Sequence, residues 1–520
     1  MGCRGFLKVE EMKNIEEVAE TCLNELIDRS LISVHNLSFD GKIKNCGMHD
    51  VIRELCLREA QKMNFVNVHG GMTDQNPCAE STMNRGRISI PNEDELARYC
   101  NSKAHSEAHS VIMVGSFILF MQELPFKLVR VLDIDLIGCA TFPSGILHLI
   151  HLRYLALRLY PRLEQYLQFE EEVPSSIIDI PTSLSSLCYL QTFILILPFS
   201  IDSQYPLILP SEILTIPQLR HLRLDWNYLQ YHELTLKSLV LKNLQYLSGL
   251  NPWYCTASAF RLFPNLKKLQ ICGVREDFCS RKDVYDFRNL DQLEELVFAL
   301  RHPLSACFLE STTRSGSTLQ DPLRFQIKMQ GSPPADAVPP LVLPPPDAFP
   351  QKLKNLVLCG TCLRWKDLSI VGKLPKLATL TLTCDACVGE EWEVVNEGFP
   401  SLKFLLLQGL DLDYWRASCD HFPCLERLVV EDCEYLDSIP REFADITTLA
   451  QIDISYCPES VGNSAMEIQQ DMQDNYGSSI EVHINQAINR HDVFSPIDLL
   501  LDSLRDMACM RSLFVPFPEN

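Results

Sequence analysis

Two Cys-x-x-Cys pairs, Cys359 with Cys362 and Cys384 with Cys387, stand about twenty residues apart, a spacing that suits a tetrahedral thiolate zinc site. Adjacent coils of a repeating structure would bring such pairs close, because neighbouring strands lie about 4.8 Å apart. Against metal, Cys433 and Cys457 occupy the equivalent place in later segments with no partner pair, as small packing residues do. No metal is therefore expected. His148 and His151 flank Leu149-Ile150 and are expected to face solvent. The acid pairs Glu10-Glu11, Glu16-Glu17 and Glu390-Glu391 have the character of a solvated face. With no nucleophile beside a base, no catalytic residue is assigned and no enzyme is expected.

The element that must position these residues is a repeat. The pattern apolar-x-x-apolar-x-apolar recurs as Val129/Leu132/Ile134, Leu152/Leu155/Leu157, Leu219/Leu222/Leu224, Leu266/Leu269/Ile271 and Leu293/Leu296/Phe298. It continues as Leu353/Leu356/Leu358, Leu377/Leu380/Leu382, Leu402/Leu405/Leu407, Leu425/Leu428/Val430 and Leu449/Ile452/Ile454. The last five begin about 23 to 25 residues apart, within the leucine-rich-repeat period. Each unit is one short strand and a return segment that cannot bury its apolar side alone, so neighbours stack into one core. The expected architecture is α/β: a leucine-rich-repeat solenoid preceded by a partial winged-helix domain of helices and a small hairpin. Solenoids of this kind work by binding macromolecules.

Composition narrows the partners. Of 520 residues, 46% are hydrophobic and 22% charged, as in a folded chain. Lys and Arg number 46 against 67 Asp and Glu, a net charge of -21 that repels phosphate backbones, so no nucleic-acid partner is expected. The 21 cysteines are scattered and odd in number, and Met1 to Glu20 has no apolar leader, which implies reduced thiols in a cytoplasmic protein. The longest apolar run, Val111 to Phe120, is about half of what a bilayer crossing needs, so no transmembrane segment is expected.

Ahead of the repeats, Ile15, Val18, Ala19, Cys22, Leu26 and Ile27 recur at helical spacing. Leu31 to Val34 and Lys42 to Lys44 flank the turn dipeptide Asp40-Gly41, and a second helix starts near Asp50, a candidate N-cap, with Val51, Ile52, Leu55 and Cys56 on one face. The domain reading is a winged-helix segment over 1–67, a connector over 68–110, the solenoid over 111–460 with an exposed Pro-rich insertion at about 301–350, and a C-terminal cap or tail over 461–520. Ser495-Pro496-Ile497-Asp498 is expected to open a capping helix there.

Met48-His49-Asp50 at the start of that second helix, Glu17-Val18-Ala19-Glu20 and Leu23 to Ile32 before it, and the solenoid after it resemble the plant nucleotide-binding leucine-rich-repeat disease resistance proteins. Trp365-Lys366-Asp367-Leu368, Glu391-Trp392-Glu393 and His421-Phe422-Pro423-Cys424-Leu425-Glu426-Arg427-Leu428 look like their late-blight-resistance branch. The resemblance covers about residues 5 to 480. It implies that Met48, His49 and Asp50 sense the nucleotide state of an intact receptor, His49 beside the β-phosphate of ADP and Asp50 holding the resting form. A helix start offers free N–H groups and positive dipole to such an anion, and an imidazole adds one hydrogen bond. The family's G-x-x-x-x-G-K-[ST] loop is not among these residues, and the resemblance places Met1 inside the winged-helix unit, as in an N-terminally truncated receptor. No cofactor is expected on this chain alone; ADP or ATP belongs to the intact receptor.

Within each repeat the leucines should point inward and the intervening residues outward. Partner-binding candidates are therefore His221, Arg223, Lys268, Phe404, Leu406 and Arg427, with apolar Phe404 and Leu406 exposed where contact with something is expected. The partners implied are a pathogen effector or guarded host protein, and the receptor's own nucleotide-binding and coiled-coil domains. An alternative is a leucine-rich-repeat substrate adaptor of a ubiquitin ligase, which would need an N-terminal helical module for the ligase core.

Overall fold

The computed structural model describes residues 15–37, 43–62, 66–68, 87–90, 109–117, 126–137, 142–160, 180–196, 208–224, 228–229, 240–274, 277–278, 285–301, 341–394, 398–477 and 479–485. Those up to Leu247 fall in one compact unit and those from Ser248 onward in a second.

The first unit opens with helix α1 (Ile15–Asp28), whose Val18, Ala19, Cys22, Leu26 and Ile27 make a half-buried stripe at helical spacing. The helix stops where Ser30 turns left-handed (φ 57°). There the N–H groups of Ser30 and Leu31 donate back to the Ile27 and Leu26 carbonyls at 2.8 and 3.0 Å, satisfying carbonyls that the helix end leaves open. Strands β1 (Ser33–Leu37) and β2 (Ile43–Gly47) pair antiparallel with Val34 opposite Cys46. Ile32 and Cys46 are buried beneath them. A Cβ at Gly47 would sit 2.2 Å from His35 Nε2, so a larger residue there would have to displace that exposed ring. Helix α2 (Asp50–Lys62) follows at once, completing the expected helix, hairpin, helix order.

Parallel strands then begin earlier than the repeat pattern. β3 (Val66–Val68), β4 (Arg87–Ile90), β5 (Ser110–Phe117), β6 (Val131–Ile137), β7 (Tyr154–Tyr160) and β8 (Thr192–Ile196) pair in chain order. β9 (Ile208–Leu209) pairs with β11 (Tyr228–Leu229), while β10 (His221–Leu224) lies between β8 and the start of β12 (Tyr246–Leu250). The ladder thus reaches back into the stretch read as a connector over 68–110. Val66–Val68 and Arg87–Ile90 are too short to carry a leucine triplet, yet their backbones still need partners and find them in the sheet edge.

In the second unit β13 (Lys268–Val274), β14 (Glu295–Arg301), β15 (Asn355–Cys359), β17 (Thr379–Thr383), β20 (Phe404–Gln408), β22 (Arg427–Glu431), β23 (Gln451–Ser455) and β24 (Glu481–Asn485) form one parallel ladder. Between them β16 (Leu363–Arg364) pairs with β18 (Cys387–Val388), and β19 (Glu391–Glu393) with β21 (Tyr414–Arg416). The leucine triplets are buried as their spacing requires, each side chain worth about 1.5–3 kcal/mol of transfer from water. Opposite the ladder, Trp365, Trp392 and Trp415 stack with centroids 5.0 and 5.2 Å apart, the latter pair held by the β19–β21 register. Phe399 and Phe422 stack beside them at 5.3 Å.

The coils of β15, β17, β20, β22 and β23 each leave the strand through a left-handed residue. Gly360, Cys384, Gly409, Asp432 and Tyr456 have φ of 65°, 51°, 57°, 52° and 55°. Their N–H groups donate to the last strand residue of the following coil: Thr383, Gln408, Glu431, Ser455 and Asn485, at 3.0–3.3 Å. At the leading end the donation runs backward, as from Ala378 to Lys354 and from Lys403 to Ala378, both at 2.8 Å. Gly360 cannot be replaced cheaply, since a Cβ would lie 2.8 Å from the Leu300 carbonyl oxygen.

The repeats also end later than their pattern. Helix α3 (Glu459–Tyr476) buries Val461, Ala465, Ile468 and Met472, stops at Gly477 (φ 64°), and hands on to β24, so the region read as a cap or tail from 461 contains a further coil. Of the Pro-rich insertion, 302–340 lies outside the described residues. Its end is not exposed as expected: Leu341, Leu343, Ala348 and Phe349 are buried, and Pro346 begins a 3-10 turn whose Ala348 carbonyl accepts from Phe287 N–H at 2.9 Å. The capping helix expected from Ser495 lies outside the described residues. Among the described residues no helix is long and apolar enough to cross a membrane.

Candidate interaction surfaces

Met48, His49 and Asp50 join β2 to α2, and the cap is a different residue from the one the pattern suggested. Val51 N–H donates to His49 Nδ1 at 3.4 Å and Arg53 N–H to the His49 carbonyl at 2.9 Å, so His49 caps the helix and Asp50 is its first residue. A side chain one place earlier reaches the free N–H groups, and exposed Asp50 adds favourable charge to the first turn. With Nδ1 accepting, a neutral ring carries its donor on Nε2, and the residue is exposed. On the apolar helix face Val51 is 70% and Leu55 56% exposed, while Ile52 is half-buried.

The residues between the leucines divide into three kinds. His221 is half-buried, with Nδ1 3.2 Å from Thr192 Oγ1 on the neighbouring strand, and Lys268 Nζ meets Glu295 Oε2 at 2.9 Å across the β13–β14 register. Arg223, Phe404 and Leu406 are the second kind, and they correct the expectation of exposure: they are 1%, 4% and 0% exposed. Alternation put them on the face opposite the leucines, but each is flanked by a strand on both sides. Phe404 lies between Thr379 and Arg427, and Leu406 between Thr381 and Val429, in rows tight enough to cover large side chains.

Arg427 belongs to a third kind, a charged network that stays open. Its guanidinium meets Asp453 Oδ2 at 2.7 Å, while Asp453 Oδ1 receives Gln451 Nε2 and His483 Nδ1, both at 2.8 Å. The register explains the geometry: Arg427 is opposite Gln451, and Asp453 opposite His483. Burial pushes the Asp453 carboxyl up, but hydrogen bonds from His483, Gln451 and Arg427 outweigh it and hold the group below the usual carboxylate range. Arg427 and His483 remain 33% and 61% exposed at their side chains. In the first unit Arg158 bridges Asp133 and Asp135 at 2.7 and 2.9 Å, with Asp135 directly opposite in the β6–β7 register. Burial opposes that guanidinium's charge, and the two carboxylates more than restore it.

Sequence reasoning did not single out Asp453, His483, Asp133, Asp135 or Arg158. Asp453 sits inside the recognised Leu449/Ile452/Ile454 unit and Asp133 and Asp135 flank Ile134, so alternation alone could have marked them. His483 required the extra coil.

The four cysteines of the zinc spacing meet in two pairs, Cys359 beside Cys384 and Cys362 near Cys387, rather than as one set. Cys359 ends β15, Cys362 takes φ 47°, and Cys387 is buried in β18 opposite Leu363. Cys359 and Cys384 hydrogen-bond each other, which with burial pushes the Cys384 thiol up. Among the described residues, no group of three or more His, Cys, Asp or Glu is placed to hold a metal. His148 and His151 are exposed, the latter stacked on Tyr189 at 6.4 Å.

Residues 3–56 match the disease resistance protein winged helix domain, and residues 107–487 the leucine-rich repeat region. A putative late blight resistance protein homolog of Solanum demissum is 29% identical over 91% of this chain and 33% of its own length. A late blight resistance protein of the same species is 28% identical over 91% of this chain and 34% of its own. The chain therefore spans about a third of the length of these relatives. A leucine-rich-repeat protein of Leptospira interrogans superposes on 76% of this chain and 99% of its own at 16% identity, with a TM-score of 0.31, too loosely to add to the fold. The helix, hairpin, helix module and the parallel ladder are thus two recognised parts in the order found in a plant disease-resistance protein: the chain belongs to the leucine-rich-repeat family, and its homologues are late blight resistance proteins.

Proposed function

We propose that the chain is the sensing part of an intracellular plant immune receptor, in which the repeats bind a pathogen effector or guarded host protein and regulate an ADP/ATP switch. It acts in the cytoplasm by binding, not catalysis. The observation that carries this reading is the order of a disease-resistance winged helix followed by leucine-rich repeats. The open charged network at Arg427, Asp453 and His483 supports protein recognition, since it offers solvent-facing charge on a rigid scaffold. Exposed Val51 and Leu55 beside His49 support docking of the winged helix on the receptor's own nucleotide-binding domain, with the coiled-coil domain as a further partner. The ubiquitin-ligase adaptor is disfavoured because the disease-resistance module stands where a ligase-binding module would be required.

Toward ADP, these residues fit a single side-chain contact, from the exposed His49 at the start of α2, since Asp50 next to it offers no donor to phosphate and would hold the resting form through protein contacts. The bound nucleotide would supply the difference between resting and active states, and His49 and Asp50 would report it. This chain alone should accordingly bind ADP too weakly for calorimetry at micromolar concentration. The reading is tested by fusing the chain to the nucleotide-binding half of a late-blight-resistance relative and expressing it in leaf tissue. His49→Ala or Asp50→Val should raise signalling without a pathogen, because contacts made only in the resting state are lost. Variants as silent as the parent at equal protein level would remove the switch role.

A further inference from the structure

Two cysteines on consecutive coils of the second unit meet at the same step of the turn. The last registered pair of β22 and β23 is Glu431 opposite Ser455. Asp432 and Tyr456 then both turn left-handed, with Asp432 N–H donating to the Ser455 carbonyl at 3.0 Å, and Cys433 and Cys457 come next on each coil. Neighbouring strands about 4.8 Å apart place such residues inside the roughly 4.4–6.8 Å Cα separation that a disulfide spans. Cys433 Sγ lies 3.5 Å from the Glu431 carbonyl oxygen of its own coil and 3.8 Å from that of Leu407 on the coil before, while Cys457 Sγ lies 3.3 Å from that of Ser455 and 3.6 Å from that of Val430 on the coil that carries Cys433. The two thiols also hydrogen-bond each other.

The pair is asymmetric. Cys433 is fully buried, whereas Cys457 is partly exposed. The hydrogen bond from Cys433 lowers the Cys457 thiol against the opposing effect of burial, while Cys433 itself is pushed well up by that bond and by burial. Access for an oxidant therefore falls on Cys457.

We propose that Cys433 and Cys457 form an oxidation site, at which a hydroperoxide converts two thiols into a disulfide joining consecutive coils. The Cys457 thiolate attacks one peroxide oxygen, the O–O bond breaks, and the other oxygen leaves and takes up the Cys457 proton as water or an alcohol. Cys457 is now a sulfenic acid. Cys433 sulfur attacks the Cys457 sulfur, the S–S bond forms and the S–O bond breaks, and hydroxide departs with the Cys433 proton as water. Two thiols lose two electrons and two protons, and the peroxide gains them. The product ties down the coil that carries Asp453. Cys359 and Cys384 touch as well, but Cys359 ends its strand opposite Thr383, one step out of register with Cys384, so a disulfide there needs a one-residue shift and should form far more slowly.

The test uses the full chain, reduced and then exposed to hydrogen peroxide, with remaining thiols blocked by N-ethylmaleimide and peptides mapped without reduction. A cross-linked peptide joining Cys433 to Cys457 should appear about ten times faster than any joining Cys359 to Cys384. In Cys433→Ser, dimedone should trap the sulfenic acid at Cys457, and Cys457→Ser should give no cross-link. Because either substitution could disturb folding, the deciding observation is on the unaltered chain. If Cys433 and Cys457 are still alkylated when other cysteines have oxidised, or if dimedone marks Cys433 and spares Cys457, the proposal is overturned.

Discussion

Each unit places an arginine across two strands to reach aspartate, and the two clusters come out differently. Around Arg158 the guanidinium and both carboxylates are no more than 13% exposed, so every charge faces another inside the protein. Around Asp453 the carboxylate is covered while Arg427 and His483 keep much of their surface in solvent. The first arrangement has nothing left to give a partner and serves the fold. The second keeps donors open to solvent and can trade that hydration for contacts with another molecule at little cost to stability. Depth, not residue type, separates the covered cluster from the open one.

The largest test of this contrast is Arg158→Met, which leaves two buried carboxylates without a counter-charge. We expect a loss of about 3–5 kcal/mol in chemical denaturation of the first unit, and a loss below about 1 kcal/mol would make that cluster as dispensable as the open one. Next, Phe404→Ala should cost about 3–4 kcal/mol, since the ring is buried on the face that alternation marks as outward. A cost near zero by the same measurement would return Phe404 to the recognition surface. His49→Ala removes the α2 cap and should lower stability of the winged-helix module by about 1 kcal/mol, read by hydrogen exchange of the Val51 amide.

The smallest effect concerns acid. Since the folded Asp453 carboxyl is a stronger acid than its unfolded counterpart, its contribution is complete above about pH 5 and is lost as pH falls below about 3.9 toward the folded value. With partial exposure, screening limits the amount to under about 1 kcal/mol. Asp453→Asn should remove this acid-dependent part of the melting curve. A melting curve of unchanged pH dependence in that variant would mean that the network does not hold the carboxylate.

The repeat was legible because burial and periodicity coincide: Leu405 and Leu407 had to be core wherever the strand lay. Depth on the other face was not legible, because Phe404 and Leu406 are covered by rows from neighbouring coils, which a single strand does not encode. The limits of the ladder were hidden for a related reason. β4 and β24 join through backbone hydrogen bonds, which any residue can make, and Glu481-Val482-His483-Ile484-Asn485 stands apart from the leucine spacing. The helix cap turned on one residue, since Asp50 is the commoner cap by type but His49 is the residue at the right step. The Arg158 cluster needed the register of β6 against β7 before its three members could be brought together.

The left-handed turns give the second unit an order in time. At its leading end a coil donates to the coil before it, as Ala378 does to Lys354, and that bond can form as soon as the coil appears. At its trailing end Gly360, Cys384, Gly409, Asp432 or Tyr456 donates to the coil after it, and that bond must wait. On the ribosome, where a chain emerges from its N-terminus, each coil is fastened on one side at once and on the other only when about 24 further residues have been made. At about 5–20 residues per second, the newest turn stays unlatched for roughly one to five seconds, and it passes that exposed condition one coil forward each time until β24 arrives.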